Sequence, residues 1–170
     1  MAATTFMFPL GLSSAAAVRV GRFIGAGEPA HARFAGWICI GLSILVMAFF
    51  AVGYLLMPRR LLMFFTSDPA VVETGLGILF LVALFQIADG IQVSATGALR
   101  GTGNTRAAFI ANLIGHFPIG LALGVSLCFW LRFGVAGMWV GLAAGLASVA
   151  TMLIFVWHHK TRDLTALRRV

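Results

Sequence analysis

Five polar residues recur at three- and four-residue steps in one apolar stretch of the sequence: Gln86, Asp89, Gln92, Thr96 and Arg100. At about 3.6 residues per turn this spacing places them along one face of a helix, which we call the polar stripe. Asp89 is the only acid that lies deep inside an apolar segment. An ionisable group within a membrane costs about 2.5–3.5 kcal/mol on insertion scales, so such a group is a candidate functional residue. A carboxylate there can bind a proton or a metal cation, or contribute to a substrate cavity.

Asp89 also has a structural interpretation, in which it is hydrogen-bonded inside the helix bundle to Asn112 or His116. These two residues are four apart, so they share a face of the following apolar segment. For His116 the alternatives are a proton relay or ligand on one side and a packed histidine with satisfied hydrogen bonds on the other. The uncharged members of the polar stripe are Gln86, Gln92 and Thr96. Their side chains either line a cavity or join helices through hydrogen bonds.

The composition indicates an integral membrane protein built from helices. The chain of 170 residues is 61% hydrophobic and 10% charged, with a mean hydropathy of +1.01. A soluble domain is about 45–50% apolar and about 25% charged. Crossing the hydrocarbon takes about 20 residues, and apolar segments of that length alternate here with charged or Gly/Pro-rich stretches. The sequence therefore predicts an all-α fold with five transmembrane helices, over residues 3–24, 34–57, 70–99, 107–131 and 134–157.

The connections between these spans carry local signals. Residues 61–65 are too short to cross and are predicted to lie at the membrane interface. Ser67 or Asp68 can cap the third span, and residues 100–106 predict a tight polar loop. Small residues spaced by four allow close approach of helices in membranes. Helix packing is therefore predicted at the glycines with this spacing, namely Gly97, Gly101, Gly120, Gly124, Gly137, Gly141 and Gly145.

The basic residues cluster at the ends of the apolar runs and predict the topology. With five spans, one side of the membrane holds Arg19, Arg22, Arg33, Arg100, Arg106, Lys160, Arg162, Arg168 and Arg169, and the other holds Arg59, Arg60 and Arg132. The more basic side is cytoplasmic by the positive-inside rule, which predicts a cytoplasmic basic tail over residues 158–170 of a multi-pass protein in the cell inner (plasma) membrane. The net charge of +7 follows from this pattern, so we expect no nucleic-acid partner.

Patterns typical of enzymes and metal centres are not found in the sequence. It contains no Ser-His-Asp order, no HExxH and no paired-cysteine motif. Cys39 and Cys128 lie in predicted spans, where a free cysteine is expected to act as a small apolar residue. We therefore expect no enzymatic activity, no catalytic residue, no metal site and no cofactor.

Three stretches carry a family resemblance. Residues 8–22, FPLGLSSAAAVRVGR, with GAG at 25–27, resemble the signature P-x-G-x-S-x-A…V-G…G-A-G. Residues 62–69, LMFFTSDP, resemble L-x-x-x-F-T-x-D-P, and residues 85–103 resemble F-Q-x-x-D-x-x-Q…G-x-L-R-G-x-G. Together these stretches cover most of residues 6–106. The chain is similar in them to the C-terminal portion of multidrug and toxic compound extrusion (MATE) transporters.

The resemblance implies part of a twelve-helix antiporter made of two six-helix bundles. It implies export of lipophilic cationic, drug-like compounds across the lipid bilayer, driven by inward flow of sodium ions or protons. By the motif match, Asp89 corresponds to the family's acid in the tenth span, which belongs to the cation site of the C-terminal bundle. The N-terminal bundle and the helix before residue 1 are missing from this sequence. We therefore expect an incomplete C-terminal bundle, and no transport by these 170 residues alone.

Two other functions stay open from the sequence. A flippase-like transporter of lipid-linked substrates would share the helix count, and a strongly basic central cavity would favour it. A non-transporting membrane assembly subunit would tolerate Asp89→Asn with no change except in stability. The acid on the polar stripe and the lack of interior Arg or Lys favour the antiporter.

Overall fold

Helices account for nearly all of residues 2–162, the part of the chain that this computed structural model describes. The all-α fold expected from the composition is confirmed. The elements in this part are α1 (Ala2–Gly25), α2 (Pro29–Leu56), α3 (Pro58–Met63), α4 (Pro69–Gly101), α5 (Thr105–Ile114), π1 (Gly115–Leu121), α6 (Ala122–Val125), π2 (Ser126–Trp130) and α7 (Gly134–Arg162), where π1 and π2 are π-helical. The elements from α5 to π2 are continuous and together are called the composite helix.

Four segments of the described chain are long and apolar enough to cross a membrane, namely α2, α4, the composite helix and α7. They correspond to the second to fifth predicted spans. The first predicted span corresponds to α1, whose 24 residues give it sufficient length. Because α1 contains Arg19, Arg22 and several hydroxyl side chains, it is less apolar, and its crossing of the membrane stays a prediction. Large apolar side chains such as Phe49 and Phe155 are exposed, as lipid-facing residues should be.

The helix α4 lies at the centre of the bundle and packs against α1, α2 and α7. Buried side chains from all four helices meet in one cluster that includes Val20, Ile40, Leu99, Leu153 and Trp157. Lipid is as apolar as these side chains, so close packing rather than escape from water holds such helices together. Neighbours on several sides fix the rotation of α4 and therefore the direction of its polar residues.

Local signals explain where α4 begins and ends. The Oδ1 atom of Asp68 accepts a hydrogen bond from the backbone N–H of Ala70 at 2.9 Å, so the predicted cap is confirmed at Asp68. After the helix, Gly103 has φ of 73°, a left-handed conformation that glycine adopts without steric cost. Asn104 then caps α5 by accepting from the N–H of Ala107 at 3.3 Å.

Several predicted boundaries differ from the structure; the second span, for example, begins at Pro29 and not at residue 34. The loop predicted over residues 100–106 is shorter, because α4 continues through Gly101 and the Asn104 cap starts α5 at Thr105. The short segment after the second span is partly helical, as α3. Finally, α7 continues to Arg162, beyond the predicted end of the fifth span, and residues 163–170 of the predicted tail lie outside the described residues.

The fourth predicted span is not a regular α-helix. Its central segment π1 contains His116 and Pro118, and a second π-helical segment, π2, ends it at Trp130. A π-helix forms its hydrogen bonds from residue i to i+5, and proline has no N–H to give to any such bond. Segments of this kind occur frequently at functional sites. The fourth predicted span, over residues 107–131, therefore corresponds to a segment of membrane-spanning length that is partly π-helical.

Glycines allow the composite helix and α7 to approach closely. An ideal Cβ on Gly141 would lie 2.3 Å from the Cα and N atoms of Gly124. One on Gly145 would lie 2.8 Å from the backbone oxygen of Gly115 and from the Cα of Gly120. Real Cβ atoms do not come this close to backbone, so the helix packing predicted at these glycines is confirmed.

Candidate functional site

A cavity of about 490 Å³ lies beside α4 at the level of Asp89 and is called the Asp89 cavity. Its polar lining residues are Asp89 and Gln92 of α4 and His116 of π1. Apolar side chains such as Phe6 of α1 and Leu142 of α7 complete the wall. Residues from four separate parts of the chain therefore surround the acid.

Asp89 is 8% exposed and, within residues 2–162, accepts no hydrogen bond and forms no ion pair. The two partners considered from the sequence are engaged elsewhere. Asn112 accepts a hydrogen bond from Gln92, and the Nδ1 atom of His116 lies 3.0 Å from the backbone oxygen of Asn112. The carboxylate oxygens of Asp89 are therefore available to a cation that enters the cavity.

One hydrogen bond between side-chain amides joins α4 to the composite helix. The Nε2 atom of Gln92 donates to Oδ1 of Asn112 at 2.7 Å. Asn112 is also anchored within its own helix, because its Nδ2 atom donates to the backbone oxygen of Ala108 at 2.8 Å. Asn112 is therefore held from two directions, whereas the Oε1 atom of Gln92 is buried and has no hydrogen-bond partner in the described residues.

Gln86 lies at the interface between α4 and α1, outside the lining of the Asp89 cavity. It is fully buried, and its Nε2 atom donates a hydrogen bond to Oγ1 of Thr5 at 2.5 Å. The position of Gln86 is that of a residue that joins two helices, which was one of the two alternatives for the polar stripe.

This contact between Gln86 and Thr5 predicts a measurable coupling free energy. Interhelical hydrogen bonds in membranes contribute about 0.6 kcal/mol on average and up to about 1.7. In a double-mutant cycle of Thr5→Val and Gln86→Leu, we expect a coupling in that range from unfolding in mixed micelles. Thr151→Val combined with Gln86→Leu is the control, because Thr151 is exposed and bonds only within α7. Additive effects of Thr5→Val and Gln86→Leu would contradict the contact.

A second cavity, of about 300 Å³, lies nearer the C-terminal end of α4 and is called the Arg100 cavity. Its polar lining residues are Thr96 and Arg100 of α4 and Thr105 and Asn112 of α5. Thr96 and Asn112, both predicted to line a cavity, therefore line this one and not the Asp89 cavity. The Arg100 side chain is exposed, so this cavity meets the surface at one end of the bundle.

Some residues of the site were not found from the sequence. Phe6, Phe85 and Leu142 line the Asp89 cavity but are ordinary apolar residues in an apolar chain. Only Phe85 had a possible signal, since it opens the motif that contains Asp89. A third cavity, of about 540 Å³, borders α7 at Ser148 and contains none of the predicted site residues.

Comparisons with known proteins identify the family of the chain. A family model described as MatE matches residues 1–126. The multidrug resistance protein NorM of Burkholderia vietnamiensis is 41% identical over 174 residues, covering 99% of this chain and 38% of NorM. The probable multidrug resistance protein NorM of Deinococcus radiodurans is 43% identical over 162 residues, covering 92% of this chain and 36% of that protein. The chain thus spans somewhat more than a third of the length of these relatives.

Solved structures show the same fold. The crystal structure of the eukaryotic MATE transporter AtDTX14 matches with a TM-score of 0.86 and 23% identity, over 99% of this chain and 38% of that one. An inward-facing multidrug resistance MATE family transporter of the MOP superfamily matches with a TM-score of 0.81 and 18% identity, over 92% of this chain and 36% of its own. The relatives are membrane transporters and not enzymes. The chain is a multi-pass membrane protein, and the family match over residues 1–126 shows that it belongs to the MatE family of transporters.

Proposed function

We propose that this chain is part of a multidrug efflux antiporter that exports lipophilic cationic compounds in exchange for sodium ions or protons. The observation that carries the proposal is the position of Asp89, a buried acid without a hydrogen-bond partner in the described chain, in a cavity with apolar walls. Relatives named for multidrug resistance support the class of substrate.

Asp89 would serve as the cation-coupling residue of this antiporter. Its negative charge in a poorly solvated site strongly favours the binding of one cation. Binding removes the net charge, which lowers the cost of moving this part of the protein through a less polar environment. Because a single carboxylate cannot be neutralised by two cations at once, entry of the coupling ion and departure of the cationic drug are linked. No further cofactor is proposed.

The walls of the Asp89 cavity fit a lipophilic cation. Phe6 and Phe85 present aromatic rings near the acid, and Leu142 adds aliphatic surface. Aromatic faces attract cations, and more strongly where water is excluded. Gln92 and His116 supply polar contacts in the same cavity. Among the residues that the structure describes, no lysine or arginine lines it, so this part of the site does not offer the cationic groups that a lipid-linked phosphate would require.

We infer that the rest of the transporter is needed for activity. The chain corresponds to 38% of the NorM relative, and alternating access works by movement of one bundle against another. The partners would be the N-terminal bundle and the helix before residue 1. The membrane would be the inner (plasma) membrane, with the C-terminus in the cytoplasm, as the positive-inside rule predicts.

The proposal is tested with protein expressed from its own gene and reconstituted in liposomes. A fluorescent lipophilic cation such as ethidium is supplied on one side, and a sodium or proton gradient is imposed. We expect one of the two gradients to drive ethidium movement, with a lipophilic anion of similar size as the control that is not moved. Ethidium transport at the same rate with and without either gradient would contradict the antiporter. Movement of a lipid-linked sugar phosphate in place of ethidium would contradict it as well. Liposomes that contain only residues 1–170 are expected to show no transport.

A further inference from the structure

Polar groups form a line between α4 and the composite helix. On α4 the line consists of Asp89, Gln92, Thr96 and Arg100, each about one turn from the next. On the composite helix, Thr105, Asn112 and His116 line the same two cavities. The line begins at the buried acid and ends at an exposed arginine at the basic end of the bundle.

The hydrogen bond between Gln92 and Asn112 connects the two cavities. Gln92 lines the Asp89 cavity, and Asn112 lines the Arg100 cavity, and their side chains meet at 2.7 Å. The bonded amides of Gln92 and Asn112 therefore lie between the residues of one cavity and those of the other.

Two buried oxygens along the line accept no hydrogen bond from the described residues, Oε1 of Gln92 and Oγ1 of Thr96. They lie on the side of α4 that faces the composite helix, one on the side chain bonded to Asn112 and one in the Arg100 cavity. A buried polar atom without a partner costs about 1–3 kcal/mol, whereas a hydrated or cation-bound oxygen avoids that cost. Neutral oxygens close to one another are also the groups that carry small cations through proteins.

We propose that this line is a hydrated pathway by which the coupling cation leaves Asp89 toward the Arg100 end of the bundle, and that the Gln92–Asn112 hydrogen bond is its gate. The pathway rests on the proposed coupling role of Asp89. It runs inside one bundle, so the cation and the drug need not leave by the same route.

Gln92 is the moving part of the gate. Asn112 is fixed by its bond to the backbone of Ala108, while Gln92 makes one side-chain hydrogen bond in the described structure. A rotamer change of Gln92 opens the connection at the cost of that one bond. At the outer end, the exposed Arg100 side chain places a positive charge that disfavours cations at the opening in both directions, so the imposed ion gradient sets the direction of release.

Cysteine accessibility tests the gate in protein expressed from its own gene, in membrane vesicles of both orientations. With Cys39 and Cys128 replaced by serine, Thr96→Cys reports on the Arg100 cavity and Val93→Cys on the Asp89 cavity. The probe is an impermeant trimethylammonium methanethiosulfonate. We expect Thr96→Cys to react from the Arg100 side with the gate intact. Val93→Cys should react faster from that side once Asn112→Ala or Gln92→Ala removes the bond.

The expected acceleration is about two- to tenfold, the change in the open fraction that follows from losing one hydrogen bond. Gln92→Ala leaves the Asn112–Ala108 bond in place, so agreement between the two variants separates the gate from a general folding defect. Ser148→Ala, which removes a hydroxyl at another cavity, is the matched control and should change nothing. Equal Val93→Cys rates with and without the bond, or an unreactive Thr96→Cys, would overturn the pathway.

The same variants distinguish this proposal from the proposed function. In liposomes, Asn112→Ala and Gln92→Ala are expected to raise cation leak in the absence of drug. Normal drug export by Asp89→Asn would contradict the coupling role of Asp89. The cysteine labelling rates, in contrast, test the gate without requiring transport. If Asn112→Ala and Gln92→Ala change neither the cation leak nor the labelling rate of Val93→Cys, the proposed gate is wrong. The proposed role of Asp89 is not affected by that result.

Discussion

Asp89→Asn is expected to reduce drug export to the level of vesicles without protein, while the amount of protein in the membrane stays unchanged. Asparagine has nearly the same size as aspartate but cannot carry a charge or release a proton at working pH. Within residues 2–162 the carboxylate makes no hydrogen bond or ion pair, so the substitution breaks no contact. The measurement is gradient-driven uptake of ethidium by inverted vesicles that contain matched amounts of protein.

The control for this substitution is Asp68→Asn, which makes the same chemical change at the cap of α4. Asparagine is about as good a helix cap as aspartate, and Asp68 is exposed outside the cavities. Export should therefore be normal in Asp68→Asn. If Asp89→Asn exported drug at the normal rate, the coupling role of Asp89 would be wrong. A non-transporting assembly subunit, by contrast, predicts that Asp89→Asn changes nothing except stability.

The sequence was sufficient to predict the helices because their signals are local. A run of about 20 apolar residues reports a span whatever surrounds it. The cap at Asp68 could likewise be predicted from two neighbouring residues. The boundaries at Gly101 and Thr105 were less accurate, because a polar run such as residues 100–106 can be helical at both ends and turn over only residues 102–104. Glycine spacing predicted close packing, since a missing side chain has the same consequence in any bundle.

The division of the polar stripe between different neighbours could not be predicted. Spacing places Gln86, Gln92 and Thr96 on one face of α4, but not the rotation of α4 relative to its neighbours. The structure assigns Gln86 to Thr5, which lies 81 residues earlier, and Gln92 to Asn112 on the other side. Contacts between helices depend on packing of the whole bundle, and no short pattern in the chain encodes them.

The π-helical segments could not be predicted for a related reason. Apolar residues surround His116 and Pro118 on all sides, so the change of helical period leaves no trace in the hydropathy. In the structure Gly115 and Gly120 of π1 lie against Gly145 of α7, a contact between segments that are distant in the sequence. His116 reaches the Asp89 cavity from this segment, and its place there depends on how π1 packs in the bundle.

Gly141→Ala is expected to destabilise the bundle by about 1–3 kcal/mol, the usual cost of forcing an extra methyl group into a packed interior. The new Cβ would lie 2.3 Å from the Cα and N atoms of Gly124 and 2.7 Å from the backbone oxygen of Gly120. These are backbone atoms, which cannot rotate away as a long side chain can. The two helices must separate instead, which moves the composite helix and with it His116. Thermal unfolding in detergent and the yield of monodisperse protein measure the effect.

Gly53→Ala in α2 is the matched control, because an ideal Cβ there meets nothing within 4 Å. Alanine favours a helix over glycine by about 0.8–1.0 kcal/mol, so this variant should be as stable as the parent or slightly more so. The same substitution thus has opposite effects at two helical glycines, and only the distance to the neighbouring backbone differs. If Gly141→Ala unfolded at the same temperature as Gly53→Ala, the close approach of α7 and the composite helix would be wrong. The placement of His116 beside Asp89 would then lose its support.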